Sequence, residues 1–162
     1  RKEALAETRQ ALLDKRSKIV FVGVSGSGKT SLAAAALRAS LAGIFPRPSV
    51  EWLKARDVAL ARSRHPLGQG DPQILDRAIK ANLIVIDDLG QDPPPKTFQS
   101  HLLLDVVMER YDALGPTWTT TWLSLPEMSS RYGEGFARRI LEGAKVIQCG
   151  HEKIQMSDEA DS

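Results

Sequence analysis

The chain has 162 residues, 42% hydrophobic and 26% charged, enough to bury a core without covalent staples and about the size of one domain. Its 22 basic and 20 acidic residues leave a formal charge of +2, so any nucleic-acid site must be a local patch rather than a bulk electrostatic effect. A lone Cys149 excludes a disulfide framework and suits a reducing cytoplasm, while His65, His101 and His151 are scattered without metal-ligand spacing. The longest apolar stretch, Leu32 to Phe45, is broken by Arg38 and is too short to span a membrane.

In chain order, residues 1–16 predict a charged helix or linker with a thin apolar stripe of Leu5, Leu12 and Leu13. "SKIVFVG" is a short continuous β-rich run, the pattern of a strand buried on both faces. Thr30 to Ala42 is alanine- and leucine-rich and predicts a helix stopped by Gly43. Val50 to Leu53 starts as a strand, and the chain becomes helical around Val58. After the loop "HPLGQGDP" comes the helix "DPQILDRAIKAN", with aspartate and proline at its start. "LIVIDDLG" is a second buried strand, followed by the stiff loop "QDPPPKT" and a helix over 98–114. "PTWTTTWL" is β-branched and aromatic, hence a strand. One or two short helices occupy "PEMSSRYGEGFARRILEG", and "AKVIQCG" closes the list of strands. Five strands alternating with helices predict an α/β fold, a mainly parallel five-stranded sheet covered on both faces. The expected divisions are an N-terminal helix or linker over 1–16, a core over 17–154 and a frayed polar tail over 155–162. The chain opens on Arg1 rather than methionine, which makes it a candidate fragment of a longer protein.

Between the first strand and its helix lies Gly23-Val-Ser25-Gly26-Ser27-Gly28-Lys29-Thr30-Ser31, a full match to the phosphate-binding loop G-x-x-x-x-G-K-[ST] in the right context. Glycines let successive N–H groups curl around phosphate oxygens, and the helix N-terminus adds its positive dipole end. Lys29 is expected to reach the β and γ phosphates of ATP, and Thr30 to ligate Mg2+. Asp87 and Asp88 close the "LIVI" run, where ligands sit in open α/β sheets. Asp87 is placed opposite Thr30 as the second magnesium residue, and Asp88 near the γ phosphate to polarise water. An N-cap or turn pair is the plainer reading of two adjacent aspartates.

"GVSGSGKTSLAAA", "LIVIDDLG", "MERYDALGPTWTTT" and "YGEGFARRILEGAKVI" together resemble the DnaC/IstB-like branch of the AAA+ ATPases, over roughly residues 17–150. The resemblance implies a P-loop NTPase αβα sandwich without a C-terminal lid domain. It makes Lys29 and Thr30 part of Walker A, and Asp87 and Asp88 part of Walker B. It places "TTTW" at sensor 1, where Trp122 stands in place of the usual asparagine, so that either Thr121 contacts the γ phosphate or sensing is weakened. Arg139 matches an arginine offered to a neighbouring subunit's nucleotide. Gly135 replaces an earlier arginine, with Arg131 and Arg138 as possible substitutes. A solvated helix face is the plainer reading of Arg138 and Arg139.

The implied function is an ATPase in DNA replication, a helicase loader that forms a homo-oligomer on single-stranded DNA. Its partner would be a replicative helicase, or a transposase if the chain is instead a transposition helper. Two readings of other classes stay open: a small-molecule P-loop kinase and a low-turnover ATP-binding adaptor. Trp52, Trp118 and Trp122 fit either base stacking or the core. Lys54, Arg56, Arg62 and Arg64 fit either a DNA path or a solvated surface.

Overall fold

The computed structural model describes residues 2–15, 17–64, 73–92 and 101–156. The loop read over 65–72, the proline loop beyond Asp92, the end of the polar tail and the side chains of Arg62 and Arg64 lie outside that description. The elements run α1 (Lys2–Leu13), β1 (Lys18–Val22), α2 (Lys29–Leu41), β2 (Val50–Lys54), α3 (Ala55–Arg64), α4 (Gln73–Lys80) and β3 (Leu83–Leu89). They continue through α5 (His101–Asp112), β4 (Thr117–Thr121), α6 (Leu125–Tyr132), α7 (Glu134–Leu141) and β5 (Lys145–Gln148). Among the described residues the sheet has five strands in the order β2-β3-β4-β1-β5, with every pairing parallel.

The strands read as unbroken apolar runs because helices cover both faces. Along β1, Ile19 and Phe21 face the α1–α2 layer while Val20 faces the layer of α3 to α7; in β3, Val85 opposes Ile84 and Ile86 in the same way. Trp118 is core, buried with its ring edge-on to Phe21 at 6.4 Å, so it is not free to stack on a base. The α1 stripe needs a correction. Ala4, Thr8 and Ala11 face the sheet, whereas Leu5 and Leu13 are exposed and Leu12 only partly packs. A helix lying this close to a sheet accepts only small residues at the contact. Thr8 satisfies its hydroxyl on the Ala4 carbonyl at 2.6 Å, and Lys145 pairs with Glu7 at 3.7 Å.

Two local devices set the C-terminal half. Ser124 caps α6 reciprocally with Glu127: the Glu127 N–H donates to Ser124 Oγ at 3.4 Å, and the Ser124 N–H donates to Glu127 Oε2 at 2.7 Å. Those bonds hold the Glu127 carboxyl below its usual range. Arg110, buried at the end of α5, donates to the carbonyls of Ile79 (3.1 Å), Pro116 (2.6 Å) and Ala81, tying the α4–β3 and α5–β4 connections together with one guanidinium. Arg110→Met keeps the stem but removes the donors to the Ile79 and Ala81 carbonyls and leaves Pro116 O with only its bond from the Ile84 N–H. Denaturant unfolding should show a loss of about 3 kcal/mol, and a loss under about 0.5 kcal/mol would contradict the role.

Candidate functional site

Parallel strands bring their C-terminal ends to one edge, so the loop after β1, the end of β3 and the end of β4 meet there, with β4 between the other two. The loop between β1 and α2 carries Gly28 in the left-handed region (φ 91°), which turns the chain into the first turn of α2. Gly23 is required for a different reason: a Cβ there would sit 2.1 Å from the Cys149 carbonyl oxygen, because the exit of β5 lies against the loop. The Cys149 N–H bonds Val22 O at 2.6 Å, fixing that approach.

Lys29 is 7% exposed, and its ammonium donates to Val24 O at 2.9 Å. Burial pulls its pKa below the ordinary lysine value, and the nearby Asp88 and Asp87 carboxylates offset this only in part. Thr30 Oγ1 donates to Asp87 Oδ1 at 2.9 Å, which brings together the two positions paired from the sequence. Thr120 Oγ1 donates to the same oxygen at 2.6 Å, and the Trp52 indole N–H lies 3.4 Å from Asp87 Oδ2. Asp87 is therefore buried yet well supplied with donors.

Between Ile86 and Leu89 the β3–β4 register slips by one residue, so Asp87 and Asp88 together oppose Thr120. This is a β-bulge, with Asp88 at φ 59°. The Asp88 N–H donates to Thr120 Oγ1 at 2.9 Å, so one hydroxyl bonds both aspartates. In an unbroken strand adjacent side chains point to opposite faces; the bulge lets both carboxylates serve the same edge.

The loop has a cavity on each side. One, of about 300 Å³, is lined by Ser25, Lys29, Thr30, Asp88, Gln91 and Trp122 and is polar and charged. The other, of about 420 Å³, is lined by Leu5, Leu32, Ala35 and Cys149 together with Ser27 and Ser31, and is mainly apolar. Ser27 Oγ is buried without a hydrogen-bond partner among the described residues. A polar chamber joined through a curled loop to an apolar slot suits a polyphosphate with an attached ring system. The Thr30 hydroxyl and Asp87 carboxylate are hard oxygen donors already in contact, which is the donor set that magnesium takes.

Of the other expected residues, Thr121 and Trp122 line the polar cavity and Arg139 does not. The Thr121 hydroxyl is buried, donates to Leu89 O at 2.9 Å and accepts from the Leu123 N–H at 3.1 Å, so it has no donor left for a phosphate. Trp122 is 40% exposed at the lip of the polar cavity, packed over Gly90, rather than in the core. Arg139 is not with the loop at all. It lies at the opposite edge of the sheet beside Lys18 and Thr117, with its guanidinium 5.5 Å from the Tyr111 ring centroid and Nη1 donating to Gly135 O at 2.9 Å. A Cβ on residue 135 would come within 3.1 Å of that Nη1, so Gly135 leaves room for this pose. Arg131 is committed elsewhere, to the Asp92 carbonyl and the Tyr132 hydroxyl, while Arg138 is exposed. Thr120 and Trp52 were missed as partners of Asp87. Only the strand register selects Thr120 from "TTT", and only the β2–β3 pairing sets Trp52 beside Asp87.

The family described as IstB-like ATP binding protein matches residues 4–159. No curated protein matches the chain. Among solved structures the chain is similar to the DnaC helicase loader, at 26% identity over 92% of this chain and 89% of that one, with a TM-score of 0.75. It shares its fold with DnaI (17% identity, 92% and 81% covered, TM-score 0.67). It also shares its fold with AMPPCP-bound DnaA from Aquifex aeolicus (18% identity, 88% and 44% covered, TM-score 0.66). The architecture is that of P-loop NTPases.

The lowered Lys29 pKa has a sign that can be tested. Between the folded value and 10.5 the unfolded chain binds more protons, so stability rises with pH through that alkaline window. At neutral pH the buried ammonium therefore opposes folding. Lys29→Met should raise the ligand-free thermal midpoint while abolishing ATP binding by calorimetry; a lowered midpoint would contradict the sign.

Proposed function

The chain belongs to the IstB-like ATP-binding protein family of AAA+ P-loop proteins, and we propose that it is a helicase-loader ATPase that assembles on single-stranded DNA and hydrolyses ATP between adjacent subunits. One observation carries the reading: the phosphate loop and the bulged aspartates share one edge of the sheet, while Arg139 sits at the other. A nucleotide at the first edge cannot be reached by the Arg139 of its own chain, but a neighbour stacked edge to edge can supply one. The likeness to the DnaC helicase loader supports the loader reading over a transposition helper.

In this mechanism the loop N–H groups and Lys29 bind the phosphates, and the apolar slot beside Leu5 and Cys149 takes the base. Bound magnesium would neutralise charge on the β and γ phosphates, held from the protein side by Thr30 and Asp87. Asp88, which lines the polar cavity, orients the attacking water and accepts a proton from it. Arg139 from the neighbouring subunit stabilises the charge that develops on the transferred phosphoryl group, a role that suits a planar guanidinium. Lys54 and Arg56 extend from the end of β2 on the nucleotide edge and are the basic groups offered to DNA phosphates.

A second reading, an ATP-binding adaptor with little turnover, is favoured by the committed Thr121 hydroxyl and by Arg139 folded back onto its own helix. Subunit mixing separates the two. Arg139→Ala alone and Asp88→Asn alone should each lose about a thousandfold in turnover with ATP binding intact. Mixed together with single-stranded DNA they should regain activity, because some interfaces then pair an intact Asp88 with an intact Arg139. Failure of the mixture to recover, with the unmodified protein active, would contradict catalysis between subunits.

A further inference from the structure

We propose that Tyr132 and Asp92 are positioning residues for the Asp88 carboxylate, clamping the turn that follows it onto α6. The inference rests on the ATPase reading above and concerns how its general base is held.

The bulge at Asp87–Asp88 is fixed on its near side by Thr120. On its far side the chain turns sharply: Asp88 and Gly90 both have left-handed backbone (φ 59° and 105°), and the Gln91 N–H returns to Asp88 O at 3.0 Å. Aspartate enters that region more readily than most residues, and its surroundings decide whether it is held there. The required restraint comes from forty residues downstream. The Gly90 N–H is shared between Asp92 Oδ1 and Tyr132 Oη, each at 3.1 Å. The Tyr132 hydroxyl donates to Asp92 Oδ1, and Arg131 donates from Nε to the same hydroxyl oxygen (3.2 Å) and from Nη2 to the Asp92 carbonyl. Tyr132 and Asp92 are both buried, and the Tyr132 ring packs on Phe136 at 4.6 Å. Burial first, and the Asp92 hydrogen bond second, push the phenol pKa up, so the hydroxyl stays a donor.

The network also links two places that act at a distance. Tyr132 is the last residue of α6, and Gly133 (φ 91°) joins it to α7, which carries Arg139. A neighbour that draws Arg139 towards its nucleotide pulls on α7, and through Tyr132 on the turn behind Asp88. The clamp thus gives the arginine edge a physical connection to the water-activating edge of the same subunit. A merely structural tie would serve stability alone, and the two roles differ in what they change.

Single-turnover hydrolysis and ATP affinity are to be measured on the full chain for Tyr132→Phe, Asp92→Ala and Asp92→Asn, with hydrogen exchange over 88–92. Tyr132→Phe keeps the ring stack and removes only the hydroxyl. Asp92→Asn keeps an acceptor oxygen and serves as the conservative rescue. The clamp predicts ATP affinity within twofold of the unmodified protein for all three. Hydrolysis should fall tenfold or more in Tyr132→Phe and Asp92→Ala but stay near normal in Asp92→Asn, with faster exchange at Gly90 in the impaired pair. Unchanged hydrolysis in Tyr132→Phe, or parallel losses of affinity and rate, would overturn it. An unmodified protein that binds ATP without releasing phosphate would instead overturn the ATPase reading, and this inference with it.

Discussion

One hydroxyl organises the nucleotide edge. Thr120 sits on the central strand of the three that meet at the site, inside a bulge that presents two aspartates to it at once. By donating to Asp87 and accepting from the Asp88 backbone it decides that the first carboxylate turns inward, towards Thr30 and Trp52, and the second outward into the polar cavity. Two chemically identical side chains thereby gain different environments: one buried and saturated with donors, the other facing the cavity. In the proposed mechanism that difference suits one to hold a cation and the other to handle water.

The remainder of the fold serves this placement. Helices on both faces permit an all-parallel sheet, and a parallel sheet sends every loop that leaves a strand's C-terminal end to one edge. The same geometry sends the entries of β1 and β4 to the far edge, where Lys18 and Tyr111 flank Arg139 and hold α7 in place. On the proposed mechanism, the phosphate grip on one edge and the arginine on the other would make a neighbour necessary to complete the site.

Much of this was legible beforehand. The glycine-lysine-threonine loop is marked by residue types that few other contexts demand, and the strands by continuous apolar runs; both stand as read. The bulge was not legible, because "IDDL" looks the same whether or not the register slips, and aspartate tolerates left-handed backbone well enough to give no warning. Nor could "TTT" reveal which hydroxyl faces Asp87, since side-chain alternation is set by the pairing with β3. The α1 stripe failed on size: leucines attract attention, but close packing on a sheet selected Ala4 and Ala11. The Asp92–Tyr132 contact joins positions with no sequence pattern between them, so only the folded chain exposes it.

The division of labour between the two aspartates is tested most directly by calorimetric ATP titrations of Asp87→Asn and Asp88→Asn, with and without magnesium. The structure predicts that Asp88→Asn keeps the full gain in affinity that magnesium confers, whereas Asp87→Asn loses it and still binds magnesium-free ATP. Equal gains in both variants, or a loss confined to Asp88→Asn, would contradict the account.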